Sequence, residues 1–226
     1  MDVRRAIPPA AALGESPLWP AAALLAAAGL YANLPTDFIY GSGGGGAFQV
    51  FRWIVPALTV LVLASLAAIP TRGWVTRRRL ILGTIAFVSA ANAVSIILLV
   101  HLLINGAGVN AHDLLTAAVH MWVVNVLLFA LWYWQEDGGG PLARPTCPPA
   151  QRDFLFPQQV EPAFADSGWR PLFLDYLYVS FTNATAFSPT DAMPLSRWAK
   201  MLMLVQSAIS LSLAVMVVAR AVNILH

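Results

Sequence analysis

The chain has 226 residues and a formal charge of +2, with 58% hydrophobic side chains and only 11% charged ones. An ordinary soluble domain carries about 25% charged residues, so there is too little polar surface here to coat a water-soluble particle. A lone cysteine, Cys147, excludes an internal disulfide framework and any multi-thiolate metal site.

A membrane span needs about 20 predominantly apolar residues to cross a hydrocarbon core of about 30 Å. In chain order the first four such runs are Pro17–Leu34, Val50–Ile69, Leu80–Ile104 and Asp113–Trp134. The first follows Arg4 and Arg5 and imitates a secretory leader, but no small-x-small cleavage site precedes a polar start, so it is kept as a span. Between the first two runs, Gly41–Gly46 (GSGGGG) lacks the Gly-Lys-Ser/Thr ending of a phosphate-cradling loop and reads as a flexible outer loop. The next loop, Thr71–Arg79 (TRGWVTRRR), carries four arginines and no acid. Lys and Arg in short loops stay on the cytoplasmic side, which predicts a cytoplasmic loop and, two spans back, a cytoplasmic N-terminus.

Polar residues punctuate the third and fourth runs: Ser89, Asn92, Ser95 and His101, then His120 and Asn125. Side chains of this kind commonly hydrogen-bond between helices. His101, His112 and His120 lack the i, i+3 or i+4 partners that would build a metal site, and none is expected. Residues 135–170 are rich in Gly, Pro and charge and read as an irregular connector, with Phe154, Phe156 and Trp169 resting on the membrane surface or on other helices. The last run, Arg197–Leu225, contains the only lysine, Lys200, close to its start, which does not suit a retinal-type Schiff base.

Before that run lies SFTNATAFSPTDAMPLSRW, Ser180–Trp198, a dense group of small polar side chains. Leu172–Phe187 is short for a span and carries Asp175 and Asn183, so it either crosses or dips in and returns. A helical run breaks at Ser188-Pro189, because the residue before proline is pushed out of the helical region and proline lacks an N–H. Irregular backbone at membrane depth is tolerated only where protein buries it or water bathes it. Pro189 and Pro194 mark the turn, with Thr190 or Asp191 as the expected N-cap of the last helix.

Residues 173–225 resemble the pore region of the potassium-channel superfamily. The likeness is carried by Phe173, Asp175, Leu177, Tyr178, Ser180 and Phe181 as a pore helix, Thr185 at the filter, and Asp191 and Pro194 after it. Arg197 and the Ala214–Arg220 ending also fit, whereas the first 134 residues have no counterpart. The resemblance implies a re-entrant pore helix, a last helix beside it, and four copies around one axis. At the filter the chain departs from the family. Phe187-Ser188-Pro189-Thr190 replaces the glycines that let successive carbonyls face the ion, which predicts no potassium selectivity. A pathway would be lined by Thr182, Asn183, Thr185, Ser188, Thr190 and Asp191.

The sequence therefore predicts an all-α polytopic membrane bundle of five or six transmembrane helices, the last two a channel-like hairpin or a re-entrant helix plus a span. It divides into a four-span region (1–134), a connector (135–171) and a pore-loop-like hairpin (172–226). The predicted function is non-enzymatic: passage of ions or small solutes without potassium selectivity, or else a non-conducting scaffold or partner-binding role for the same hairpin. The expected partners are the lipid bilayer and further copies of the chain, with no cofactor and no nucleic acid. Twelve arginines to one lysine suggest a GC-rich prokaryote and hence the inner cell membrane. In a variant without Cys147, a Thr76→Cys probe should resist an impermeant thiol reagent added outside intact cells. Labelling there would reverse the whole orientation.

Overall fold

The computed structural model of the protein describes residues 16–35, 45–68, 74–104, 111–161, 163, 165–186 and 192–224. The described chain is all-helical apart from one pair of two-residue strands, and the long helices are α1 (Leu18–Ala32), α2 (Gly45–Ala68), α3 (Trp74–Ile104) and α4 (Ala111–Glu136). They are followed by a single turn, α5 (Pro157–Val160), and by α6 (Phe173–Ala186) and α7 (Arg197–Ile224). Among the described residues, three stretches are long and apolar enough to cross a membrane, falling in α3, α4 and α7. The four early runs are each helical, and α3 begins six residues before the predicted run, so Arg77, Arg78 and Arg79 are helical. Arginine is a good helix former. Arg78 also has a reason to be there, since it lies 3.5 Å from Glu136 and donates from Nη2 to the Gln135 carbonyl at 3.1 Å. A cation at the carbonyl end of α4 complements that helix's dipole.

α4 is the central helix, packing against α1, α3, α6 and α7. Its small and medium side chains (Ala117, Met121, Val124, Leu128, Ala130, Leu131) are buried among those neighbours. The Arg78–Glu136 pair sets the start of α3 and the end of α4 at one end of the bundle. Ser95, about 25 Å further along α3, accepts or donates a 2.8 Å hydrogen bond with the Tyr31 hydroxyl near the end of α1. α1 therefore starts at the same end as α3, and α4 runs against both.

The connector is a folded cap over that end. Gly138, Gly139 and Gly140 all have positive φ, and at Gly140 a Cβ would stand 3.0 Å from the Gln135 carbonyl, so the chain reverses sharply where no other residue fits well. The reversal turns the side chain of Asp137 inward, fully buried. One of its oxygens accepts the backbone N–H groups of Asp153 (2.9 Å) and Phe154 (3.2 Å), and the other accepts the Tyr176 hydroxyl and lies 3.4 Å from Arg144 Nε. Arg144 donates further to the carbonyls of Pro171 (3.1 Å) and Trp134, and its guanidinium lies over the Tyr176 ring at 4.7 Å. Phe154 and Phe156 are buried against the helices, with Phe154 5.1 Å from Tyr133 and Phe156 5.4 Å from Tyr176 between ring centres.

That cap also holds both described approaches to the C-terminal hairpin. Tyr176, in the first turn of α6, is held at the end of α4 by Asp137. Strand β1 (Phe154–Leu155) pairs antiparallel with β2 (Met193–Pro194), and Leu195 N–H donates to the Asp153 carbonyl at 2.8 Å, so the approach to α7 is held at the same end. α6 has 14 residues, about 21 Å, and enters the bundle from an end to which the chain has returned by Met193. The arrangement is a short helix followed by a long one, with the start of the first and the approach to the second at one end of α4, and the strand pairing holds Met193–Pro194 beside the connector.

Asp175 lies in the first turn of α6, where its carboxylate accepts the Leu172 N–H at 2.7 Å. One local expectation is revised. The cap of α7 is Ser196, whose hydroxyl accepts the Ala199 N–H at 3.0 Å, and such a cap contributes about 1 kcal/mol. Thr190 and Asp191 lie too far ahead of Arg197 for that role. Replacing Asp137 by alanine should destabilise the protein by about 3–5 kcal/mol, since it leaves the Arg144 charge buried without its partner. Denaturant unfolding of the detergent-solubilised variant measures this, and a loss under about 1 kcal/mol would show that the pair does not hold the cap.

Candidate functional site

Of the predicted pathway residues, Thr182, Asn183 and Thr185 are among the described ones, and they differ in burial. Asn183 is buried and faces α7 and α4: its Nδ2 donates to the Met203 carbonyl (3.0 Å) and Gln206 Oε1 (2.9 Å), and its Oδ1 accepts from Ser207 at 3.2 Å. Thr182 is half-buried and Thr185 exposed, and both hydroxyls donate back to carbonyls of their own helix: Tyr178 and Val179, and Phe181 and Thr182. Pro194 lies in strand β2. Ser188, Pro189, Thr190 and Asp191 lie outside the described residues.

Around Asn183 the three helices α4, α6 and α7 share a polar core. Gln206, fully buried in the middle of α7, donates from Nε2 to the Ser180 carbonyl (2.9 Å) and hydroxyl (2.7 Å), and its Oε1 accepts from Tyr133 as well as from Asn183. Ser180 in turn donates to the Val126 carbonyl at 2.7 Å, and one turn of α7 further on Asn125 donates to Ser210 at 3.2 Å. Both amides therefore have their donors and acceptors met by protein groups. Buried amides with every group paired fix the relative register of helices, while a half-paired set would be costly. Elsewhere Trp132 donates to Ser89 at 3.1 Å and ties α4 to α3, whereas the ring of His120 bonds the Thr116 carbonyl of its own helix.

The opposite face of α6 is covered by the described residues only in part, where the Trp122 ring of α4 meets Phe181 edge-on with centroids 5.9 Å apart. Leu174, Tyr178, Phe181 and Thr185 recur at i, i+4, i+7 and i+11, and all four are exposed. This is one uninterrupted stripe along a short helix, aromatic in its middle and polar at its inner end. α7 carries its own uncovered apolar side chains, including Met201, Leu204, Leu211, Val215 and Val218.

No family model, curated protein or solved structure matches the chain. Function must then be read from the geometry. Among the described residues no group of three His, Cys, Asp or Glu side chains could hold a metal. Burial pushes the Cys147 thiol above its ordinary pKa, which keeps it from serving as a ready thiolate.

Sequence reasoning singled out Asn183 but missed its partners Gln206, Ser207, Ser210 and Tyr133. Gln206 was available as a signal, because an amide in the middle of the longest apolar run must find a partner in a neighbouring helix. Asp137 and Arg144 were hidden by the loop-like composition around them. Gln206→Leu strands the Tyr133 hydroxyl and the Asn183 amide together and should cost about 1–3 kcal/mol, whereas Thr185→Ala should change stability by less than about 0.5 kcal/mol. Unfolding of the two variants side by side checks this, and equal losses would remove Gln206 from the role of keystone.

Proposed function

We propose that this is an integral protein of a bacterial inner membrane, with its N-terminus in the cytoplasm, that passes ions or small solutes through a pathway formed between copies of its C-terminal hairpin. The observation that supports the reading is that α6 packs between α4 and α7 with its start and the approach to α7 tied to one end of α4, which we read as a re-entrant placement. A short helix, a proline-bearing link and a long last helix follow in the order that the potassium-channel resemblance implies. The exposed stripe of α6 and the apolar flank of α7 then meet lipid and neighbouring copies, four in the family that the sequence resembles. The return, 187–191, has no glycine, so a carbonyl-lined filter is disfavoured, and the Asp191 carboxylates become the cation-attracting groups. The arginine-bearing end of α3 and the cap share one end of the bundle, so the pore loop enters from the cytoplasmic side if that end obeys the positive-inside rule. This is opposite to ordinary potassium channels.

A second reading, a non-conducting module that binds a partner or stabilises an assembly, is favoured by the closed polar core: Asn183 offers nothing to a permeant ion while Gln206, Met203 and Ser207 hold it. Reconstitution in liposomes separates the two. Cation flux with a potassium-to-sodium preference under about threefold, weakened in Asp191→Asn, is the expected result for a carboxylate ring without a carbonyl filter. Strong potassium preference would overturn the filter reasoning, and absence of flux under either gradient would leave the non-conducting role.

A further inference from the structure

Beneath the cap at the end of α4 lies a cavity of about 300 Å³ that takes no part in the hairpin's polar core. Its wall is amphipathic and mainly cationic: Arg152 and Arg170 with Asp166 as the acid of the lining, then Gln158, Trp169 and Leu172. Arg144 reaches the same wall, but its donors are committed to Asp137 and to the carbonyls of Pro171 and Trp134. Arg152 differs. Its side chain makes no hydrogen bond or ion pair among the described residues, and its Nε is closed off from solvent; Gln158 Oε1 is likewise buried and without a donor. Folded proteins pair nearly all such groups with protein, water or ligand. A cationic donor and a neutral acceptor left unpaired on one cavity define a complementary molecule: an anion that also carries an N–H or O–H.

We propose that this cavity binds a phosphate ester bearing its own hydrogen-bond donor, the chemistry of a phosphatidylglycerol or phosphatidylethanolamine headgroup. The phosphate meets Arg152, since charge-assisted bonds of guanidinium to phosphate are among the stronger ones, and the hydroxyl or ammonium meets Gln158. Trp169 and Leu172 supply the apolar edge where the ester's glycerol passes toward the helices. Basic pockets and tryptophan at the ends of membrane helices suit this level of the bilayer. The choice of a lipid as the source rests on the membrane reading above; the phosphate chemistry does not.

The test uses the delipidated full-length protein in neutral detergent, because a ligand that binds only the folded state raises the melting temperature as it saturates. Short-chain phosphatidylglycerol should raise it saturably, and phosphatidylcholine, whose headgroup has no N–H or O–H, should do so less. Arg152→Gln should require about tenfold more phosphatidylglycerol, the loss of roughly one charge-assisted bond. If that variant proves unstable, Gln158→Met carries the test by losing the distinction between the two lipids. Glycerol 3-phosphate acting as well as phosphatidylglycerol would support the phosphate site and assign it to a soluble ester. Equal responses of wild type and Arg152→Gln, or equal action of the two lipids on wild type, would overturn the site. Ion flux is not read in this assay, so its outcome and that of the liposome experiment stand apart.

Discussion

Everything distinctive in this fold depends on one buried carboxylate. Asp137 sits where α4 ends, and its two oxygens gather groups from three places in the chain: the backbone before β1, the Arg144 side chain and the first turn of α6. A carboxylate out of water is costly unless it is paired and hydrogen-bonded, and here every neighbour that pays that cost is also a segment that must be positioned. The strand pairing then extends the same anchor to the entry of α7. Without it, nothing described would hold a 14-residue helix with both its approach and its return at one end of the bundle.

Two layers of polar chemistry serve different purposes in the C-terminal half. The layer at the cap is charged and fixes where the chain enters. The layer deeper in the bundle is neutral, built of Ser180, Asn183, Gln206 and Tyr133, and fixes how far α6 is rotated between α4 and α7. Amides and hydroxyls suit that depth because they can be satisfied wholly by one another, whereas a charge there would demand a counter-charge. The rotation they enforce leaves Tyr178 and Phe181 about half exposed among the described residues.

How much of this was legible follows from the range over which each feature is encoded. The long helices are local: apolar runs of sufficient length announce α3, α4 and α7, with ends misjudged only where Arg77–Arg79 continue a helix past its apolar part. The break near Ser188-Pro189 is local too, since proline's geometry belongs to the residue itself. The direction taken after that break is not local, because it is set by Phe154–Leu155 pairing with Met193–Pro194 across nearly forty intervening positions. In the same way Asn183 can be recognised as a buried amide, but not that Gln206 of another helix completes it. A Gly- and Pro-rich composition reads as a loop even when, as around Asp137 and Arg144, the glycines serve a sharp reversal onto a buried ion pair.

The two-residue ladder has one more consequence. Because the start of α6 and the approach to α7 are both fastened to the cap, the whole segment from Tyr176 to Met193 is a loop closed at that end. Loop closure for such a segment varies only slowly with length, about 0.6 kcal/mol for each doubling. A change of length within that segment would therefore alter the closure term only slightly, while the ladder and the Asp137 contacts that close it stay as they are.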